Sequence, residues 1–417
     1  MGRSSSSLYA YNCLSTFTDW TESENCLVYN PSLPLFTDPE NGDYTLAKYS
    51  QAINVGNNGY VTTGTDLAGN SRIVDGVVDL GAYEYQLTVT TLEDIVDDQD
   101  GFLSLREALT IYAAEGDWIT FAENLAGGTI TLSGTEIAID KGITIDASGI
   151  GGITVSGNGN SRIFNVSGGT EERPVELIGL VITDGNEKYG GGIYCTGNLS
   201  LTDCAVINNN ADWGGGFYNT GNITLTNSSV SDNTSVYFGG GIYNENASLT
   251  LVKTEITGNN SNYYGGGIYS NYGELTLTLS TVSENTVVRG SGGGIYNHYG
   301  TLSSIGCEIS RNRADVSGGG VDNDTGGTVI FAGCTIAGNS ANQGGGVSSS
   351  GDCEFYNTII ALNTSETANN DIHTSSGSLK AYYSLSSYTD WTESDGFITY
   401  DRSRQLFADF DGKRCSY

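Results

Sequence analysis

The chain is poor in several residue types on which other kinds of protein depend. Its 417 residues include only 4 prolines, 2 histidines, 1 methionine and 17 lysines and arginines together. No run approaches the roughly 18 apolar residues that a membrane-spanning helix needs. The 8 cysteines form no Cys-x-x-Cys pair, and with 2 histidines beside them a zinc site is not expected. The 48 acidic residues leave a net charge of −31, which disfavours nucleic acid and anionic membranes as partners.

Glycine, by contrast, is abundant and regularly placed. Seven Gly-Gly-Gly triplets begin at positions 190, 214, 239, 265, 292, 318 and 344, so their spacing stays between 24 and 27 residues. A fixed period of this length indicates a solenoid. Leucines alternate within each repeat, as at Leu199 and Leu201, which is the period of a strand with one buried face. The sequence therefore predicts an all-β, single-stranded parallel β-helix with two or three short strands per coil.

Aligning the coils by their glycines brings like residues into columns. Two aliphatic columns are predicted to face inward, and an Asn column suits hydrogen bonding along the stack. A column that mixes Cys204, Cys307 and Cys334 with Ser and Thr predicts small core residues. The aliphatic columns are Ile193, Phe217, Ile242, Ile268, Ile295, Val321, Val347 and Val206, Val230, Ile256, Val282, Ile309, Ile336, Ile360; the Asn column is Asn209, Asn233, Asn259, Asn285, Asn312, Asn339, Asn363.

The two ends of the chain resemble each other at a constant offset of 371 residues. Thr-Asp-Trp-Thr-Glu-Ser occurs at 18–23 and again at 389–394. We interpret 1–42 as the last coil of a preceding module, 43–86 as a closing segment and 87–189 as the start of a second β-helix. The triplet coils then fill 190–372, and 373–417 partly repeats 2–46. This organisation predicts a monomer within a longer tandem array, whose secretion signal and anchor lie outside this piece.

A helix is expected at about 104–114, where it would cap the open end of the second β-helix. Ser104 and Glu107 have the spacing of a capping box. The preceding loop also resembles an EF-hand, with Asp98 and Asp100 as Ca²⁺ ligands and Glu107 at its last position. One glutamate cannot readily serve both roles. The cap is favoured, and Ca²⁺ is the one cofactor that the sequence leaves open.

Three segments carry a resemblance to a known family. DGFLSLREAL at 100–109 resembles the SLREA-type opening of bacterial right-handed parallel β-helix proteins with a pectin-lyase-like fold. GGGIYNENASLTLVKTEITGNN at 239–260 is similar to repeats of polymorphic outer-membrane and autotransporter-passenger proteins, and VDLGAYEY at 78–85 to their closing segments. The resemblance implies a right-handed coil and an extracellular or bacterial cell-surface location. Position 103, usually Cys in the opening motif, is Leu here.

That family includes adhesins, structural stalks and polysaccharide-degrading enzymes, so each residue pattern must be assessed separately. Column alignment places His298, Asp322 and Asp324 on neighbouring coils, where His298 and Asp324 are close enough to touch. They are the catalytic candidates for a polysaccharide lyase or glycoside hydrolase. The alternative is a solvated ladder of charges, which is favoured.

A column of tyrosines follows the inward aliphatic residues by one position, so alternation turns it outward. Stacking between coils would stabilise the sheet. An exposed stripe would instead bind a sugar ring or a partner surface. The column is Tyr194, Tyr218, Tyr243, Tyr269 and Tyr296, flanked by Tyr189, Trp213, Phe238 and Tyr264.

Cys13 and Cys26 are both lost in the second copy of their segment, where Ser384 and Phe397 replace them. Joint loss is typical of a bonded pair, so we predict a disulfide, which fits an oxidising extracellular setting.

Three functions are consistent with these patterns. The favoured one is a non-catalytic surface solenoid, adhesin-like or structural, that contacts a polysaccharide or a surface protein through its tyrosine face. The second is a polysaccharide lyase or glycoside hydrolase, and the third is a pure spacer.

Overall fold

The chain folds into a parallel β-helix. The computed structural model describes residues 8–47, 50–69, 72–73, 77–97, 99–366, 370–399 and 406. Four parallel sheets run along the stack, and each strand pairs with its equivalent one coil away, as Ile193 does with Phe217 and Phe217 with Ile242. The predicted all-β parallel β-helix is therefore confirmed.

Sheets I and II are two of these four sheets, and all strand counts refer to the part of the chain that the structure describes. Sheet I has 10 strands: Ile137–Ile139, Phe164–Val166, Ile193–Cys195, Phe217–Asn219, Ile242–Glu245, Ile268–Asn271, Ile295–His298, Val321–Asn323, Val347–Ser349 and Ile372–Thr374. Sheet II has 13 strands: Leu87–Val89, Trp118–Phe121, Thr144–Asp146, Val175–Ile178, Asn198–Thr202, Asn222–Thr226, Ser248–Val252, Glu274–Thr278, Thr301–Ile305, Thr328–Ala332, Asp352–Tyr356, Leu379–Tyr382 and Glu393–Asp395.

Sheets III and IV complete each coil. Sheet III has 12 strands: Thr129–Thr131, Ile153–Ser156, Leu180–Thr183, Ala205–Ile207, Ser229–Ser231, Glu255–Thr257, Thr281–Ser283, Glu308–Ser310, Thr335–Ala337, Ile359–Ala361, Leu385–Ser386 and Ile398–Thr399. Sheet IV has 8 strands: Asn186–Tyr189, Asn210–Trp213, Thr234–Phe238, Asn260–Ser261, Thr286–Val287, Arg313–Ala314, Ser340–Ala341 and Thr364–Ser365. The triplet coils thus have four strands, where the sequence predicted two or three.

The core consists of the predicted inward columns. Every member of the two aliphatic columns is buried, and Phe331 and Phe355 stack within it at a ring distance of 5.3 Å. Cys204, Cys307 and Cys334 are buried as well, which confirms their prediction as small core residues. Because each coil buries its apolar face against its neighbours, stability accumulates along the stack.

The Asn column forms a continuous ladder of hydrogen bonds, as predicted. Asn259 is typical: its Nδ2 donates to the carbonyl of Val230 at 2.9 Å and to Oδ1 of Asn285 at 2.9 Å. Its own Oδ1 accepts the backbone N–H and the Nδ2 of Asn233, both at 3.0 Å. At the end of the ladder Asp371 takes the place of an asparagine and accepts from Asn363. Buried asparagines thereby satisfy the polar backbone groups at this corner.

The glycine triplets lie where adjacent coils approach most closely. Gly265 has a φ of +62°, and a Cβ on Gly266 would lie 2.4 Å from the carbonyl oxygen of Gly293 and 2.7 Å from that of Thr286. Both neighbours are backbone atoms of the next coil, so a side chain would force the coils apart.

We therefore expect Gly266→Ala to lower the free energy of unfolding by about 3 kcal/mol, the upper end of what overpacking costs. Denaturant unfolding measures this change. Gly149→Ala is the control, because a Cβ there meets no atom within 4 Å; its effect should stay within about 0.5 kcal/mol. Equal losses in the two variants would contradict the close approach.

The predicted cap helix is shorter than expected. An α-helical turn at Leu105–Glu107 continues as a π-helix at Ala108–Tyr112. The capping box is confirmed: Ser104 Oγ accepts the Glu107 N–H at 3.1 Å, and Glu107 Oε2 accepts the Ser104 N–H at 2.9 Å. The other helices among the described residues are 3₁₀ turns at Pro39–Asn41, Asn58–Tyr60, Glu123–Leu125 and Ser148–Ile150. No helix in the described ranges is long and apolar enough to cross a membrane.

The segment before the stack contains a small coil and a hairpin. Tyr9–Tyr11 pairs in parallel with Glu22–Glu24, and Leu14–Ser15 with Leu27–Val28. Phe36–Asp38 and Asp43–Leu46 form an antiparallel hairpin. Residues 78–85, which alternate in sequence, lie outside the named strands of the described chain. Their carboxylates bind backbone instead: Asp79 accepts the N–H groups of Asn54 and Tyr85.

Candidate functional site

The tyrosine column of sheet I is the longest aromatic feature of the described chain. Its rings stack along the helix axis: Tyr218 and Tyr243 lie 4.8 Å apart with planes 5° from parallel, and Tyr269 and Tyr296 lie 5.4 Å apart at 13°. Arg162 caps the first ring, Tyr194, at 5.2 Å. Most ring faces in this column are therefore in contact with other rings.

The expectation that this column forms an exposed stripe is wrong. Tyr243, Tyr269 and Tyr296 are buried, and Tyr194 and Tyr218 are half-buried. Aromatic residues at the end of sheet IV fold over them, as Phe238 does over Tyr269 at 5.1 Å. Burial accordingly raises the pKa of Tyr243 to about 12. The sequence correctly predicted that these tyrosines point away from the axis of the stack. Aromatic residues of sheet IV, the fourth strand of each coil, nevertheless cover them.

The column ends at a polar cluster where Asp322 follows Tyr296 in register. His298 Nδ1 and Asp324 Oδ2 lie 2.8 Å apart, so the predicted contact between them exists. Tyr296 Oη donates to the same Asp324 oxygen at 2.9 Å. Burial raises the pKa of Asp324, but hydrogen bonds from the Thr325 N–H, Tyr296 and His298 outweigh it and lower the pKa overall. Asp324 is thus held ionised.

Asp322 is the buried member of the cluster. Its side chain accepts a hydrogen bond from Ser317 Oγ, and the residue is 7% exposed. Burial raises its pKa to about 7, with a smaller contribution from the charge of Asp324. The cluster thus holds an ionised carboxyl, Asp324, in contact with the His298 imidazole, and a readily protonated carboxyl, Asp322, two residues away along the chain. Groups of these types can accept and donate protons. A catalytic role of His298, Asp322 and Asp324 remains a prediction.

Two exposed tyrosines adjoin this cluster. Tyr272 and Tyr299 are 55% and 44% exposed, and their rings stack 4.9 Å apart with planes 5° from parallel. His298 lies edge-on to Tyr299 at 4.5 Å. We call Tyr272, Tyr299, His298 and Asp324 the tyrosine patch. Aligning the coils by their glycines did not single out these two tyrosines as candidate binding residues. Both lie on a left-handed corner, with a φ of 52° at each, and not on a strand.

The Ca²⁺ candidates lie beside the cap helix. Asp98 lies outside the described residues. Asp100 Oδ1 accepts the Phe102 N–H at 2.8 Å, and both carboxyl oxygens of Glu107 are hydrogen-bonded, to Ser104 and to Asp97. Within the described ranges no group of three or more His, Cys, Asp or Glu side chains is placed to hold a metal ion. Glu107 therefore serves the cap, the alternative that the sequence favoured.

Cys13 and Cys26 lie side by side just before their paired strands. Their sulfur atoms are 2.8 Å apart. In the reduced pair, the hydrogen bond with Cys26 raises the pKa of the Cys13 thiol to about 11. The geometry brings together the two residues for which the sequence predicts a disulfide.

We expect peptide mapping without reductant to recover Cys13 and Cys26 as one linked peptide. Closing a loop of this length stabilises a folded segment by about 3 kcal/mol, so reduction should speed proteolysis within residues 8–28. The Cys13→Ser, Cys26→Ser double variant should behave like the reduced protein. Two free thiols in protein purified without reductant would contradict the pairing.

Comparisons with known proteins find similarity in structure but not in sequence. No family model matches the chain, and no curated protein matches its sequence. The crystal structure of the pectate lyase Pel9A is similar at 15% identity and a TM-score of 0.49, covering 80% of this chain and 88% of that one. ORF18 of Geobacillus virus E2 is similar at 14% and 0.42, covering 75% and 62%. The alginate lyase AlyF-OU02, in complex with G6, gives 11% and 0.28, covering 76% and 84%. The assignment of a parallel β-helix rests on the strand pairing described above.

Proposed function

We propose that the chain is a non-catalytic β-helical rod of an extracellular or bacterial cell-surface protein, with an adhesin-like or structural role. The observation that supports this is the tyrosine column, whose rings stack on one another and are covered by sheet IV. Rings that stack on one another stabilise the contact between coils, and little of their surface is accessible to a ligand. The Asn ladder acts alongside it at another corner of each coil.

The surface that we propose for ligand binding is the tyrosine patch and not the tyrosine column. Sugar rings pack their C–H faces on aromatic side chains and donate their hydroxyls to carboxylates. Tyr272 and Tyr299 offer exposed aromatic surface, and Asp324 offers an ionised acceptor beside it. Because the chain carries a net charge of −31, a neutral or amino sugar suits the patch better than a polyuronate.

An enzyme remains the second candidate, favoured by the contact between His298 and Asp324. A lyase acting on a polyuronate needs positive charge to hold the substrate carboxylate. Among the described residues, neither Asp322 nor Asp324 forms an ion pair with a lysine or arginine, and Arg311 pairs with the exposed Glu284 at 3.0 Å. The electrostatics of the cluster therefore favour the rod over the lyase.

The test is a retention assay of the full chain on neutral, amino-sugar and polyuronate polysaccharides, with and without Ca²⁺, that also records new unsaturated or reducing ends. We expect retention on a neutral or amino-sugar polymer without product. Tyr272→Ala and Tyr299→Ala should each weaken retention, whereas Tyr383→Ala is the control because Tyr383 is exposed outside the patch.

Product release that His298→Ala abolishes would overturn the non-catalytic proposal. Failure to bind any polymer would overturn the binding role and leave the rod as a pure spacer.

A further inference from the structure

The two stacked tyrosines of the tyrosine patch leave one ring face open. Tyr272 and Tyr299 lie on successive coils with their rings 4.9 Å apart and 5° from parallel, so each covers one face of the other. On its other side Tyr299 meets Gly326 of the following coil, where a Cβ would lie 2.6 Å from Tyr299 Cδ1. Among the described residues the other ring near Tyr272 is His298, which lies edge-on at 6.0 Å. The face of Tyr272 that points toward the preceding coil is therefore open.

Asn246 occupies the same corner on that preceding coil. It has a φ of 49°, and its N–H donates to the Asn271 carbonyl at 2.8 Å. The Tyr272 N–H donates in the same way to the His298 carbonyl at 2.8 Å. The Asn246 side chain is exposed and makes no hydrogen bond with a described residue. An asparagine thus stands where a third stacked tyrosine would fit, and the aromatic row stops one ring short.

A cleft of about 400 Å³, which we call the corner cleft, lies at this gap. Its volume is within the range of about 300–1,000 Å³ that is typical of ligand sites. Three successive coils contribute to its walls, and amide, hydroxyl and carboxylate groups surround one aromatic ring. The residues that matter for binding are Thr220, Asn222, Asn246, Ser248, Tyr272 and Glu274.

The charge of the corner cleft favours a cationic ligand. Glu274 is exposed and forms no ion pair with a described residue. No lysine or arginine of the described chain lines the cleft, and the whole chain carries a net charge of −31. The aromatic wall acts in the same direction, because the face of a tyrosine ring attracts both polarised C–H groups and cations.

We propose that the corner cleft binds one pyranose ring of an amino-sugar polymer such as polyglucosamine. This rests on the sugar-binding role proposed for the tyrosine patch, and it specifies the position and the class of the sugar. The C–H face of the pyranose packs on the open face of Tyr272, its ammonium group pairs with Glu274, and its hydroxyls bond to Asn246 and Ser248. The sugar thereby takes the place of the missing aromatic ring.

The test is a calorimetric titration of the full chain with a glucosamine hexamer and, separately, with an N-acetylglucosamine hexamer. We expect the wild type to bind the glucosamine hexamer more tightly. Tyr272→Ala should weaken binding of this hexamer at least about tenfold, because it removes the stacking surface. Glu274→Gln should weaken it about threefold, the size of an exposed ion pair, and leave the uncharged N-acetyl hexamer unaffected.

Asn246→Tyr tests the gap itself. Tyrosine already adopts the same backbone conformation at Tyr272 and Tyr299, so the new ring can stack on Tyr272 and fill the cleft without loss of the fold. We expect binding at least about tenfold weaker, with a melting temperature no lower than that of the wild type. Asn227→Tyr is the matched control, because Asn227 is exposed with a φ of 50° at a different corner. It should bind the hexamer as the wild type does.

The outcomes separate this inference from the proposed function. Binding that Tyr299→Ala weakens but Asn246→Tyr leaves unchanged would overturn the corner cleft and retain the tyrosine patch. Equal losses in Asn246→Tyr and Asn227→Tyr would likewise overturn the cleft. Equal affinity of the wild type for both hexamers would overturn the assignment to an amino sugar. Failure of the wild type to bind either hexamer would overturn the inference, and the polysaccharide retention assay then decides the proposed function.

Discussion

Replacing Asn259 by leucine is expected to lower the free energy of unfolding by about 5 kcal/mol. The substitution leaves the backbone N–H and the Nδ2 of Asn233 without the acceptor that they share, and the Val230 carbonyl without one donor. Each buried polar group left unpaired costs about 1–3 kcal/mol. Leucine also has no polar atom with which to replace the amide.

Hydrogen exchange is the suitable measurement, because a solenoid can open locally without unfolding throughout. Peptides from the coils on either side of residue 259 should lose protection, whereas those near residue 150 should not. Asn262→Leu is the control: Asn262 is half-buried, and its side chain makes no hydrogen bond with a described residue. Similar loss of protection in both variants would contradict a specific role for the ladder.

Replacing Asp322 by asparagine is expected to change how stability depends on pH. The pKa of Asp322 is raised to about 7 in the folded chain by burial, against 3.8 for an ordinary aspartate. Between these values the folded state keeps a proton that the unfolded state has lost. The free energy of unfolding of the wild type therefore falls as pH rises through this window and levels off above about pH 7.

Asparagine has no such proton to lose, so the stability of the variant relative to the wild type should rise by up to about 4 kcal/mol between about pH 4 and pH 8. Denaturant unfolding at several pH values measures this difference. Asp315→Asn is the control, because it removes the same charge from an exposed side chain on the same coil. Parallel curves for wild type and Asp322→Asn would show that Asp322 titrates normally.

The candidate site could be predicted only in part. The contact between His298 and Asp324 followed from counting along the repeat, because strands one coil apart must lie side by side. The burial of Tyr243 and Tyr269 did not follow, because it depends on sheet IV folding over them. Strands such as Asn260–Ser261 are too short to leave a period in the sequence. The exposed pair Tyr272 and Tyr299 was missed for the related reason that turns carry no strand pattern.

The sequence by itself determined the repeat, the parallel stack and the residues that face its axis. A regular spacing of glycines with alternating leucines indicates stacked coils, in which each coil buries its apolar face against the next. The capping box and the Asn ladder were also determined locally, since each needs only its own residues and the neighbouring coil. Only the tertiary structure decided which outward side chains meet solvent. Exposure depends on what another segment of the coil places above a residue, and local periodicity does not contain that information.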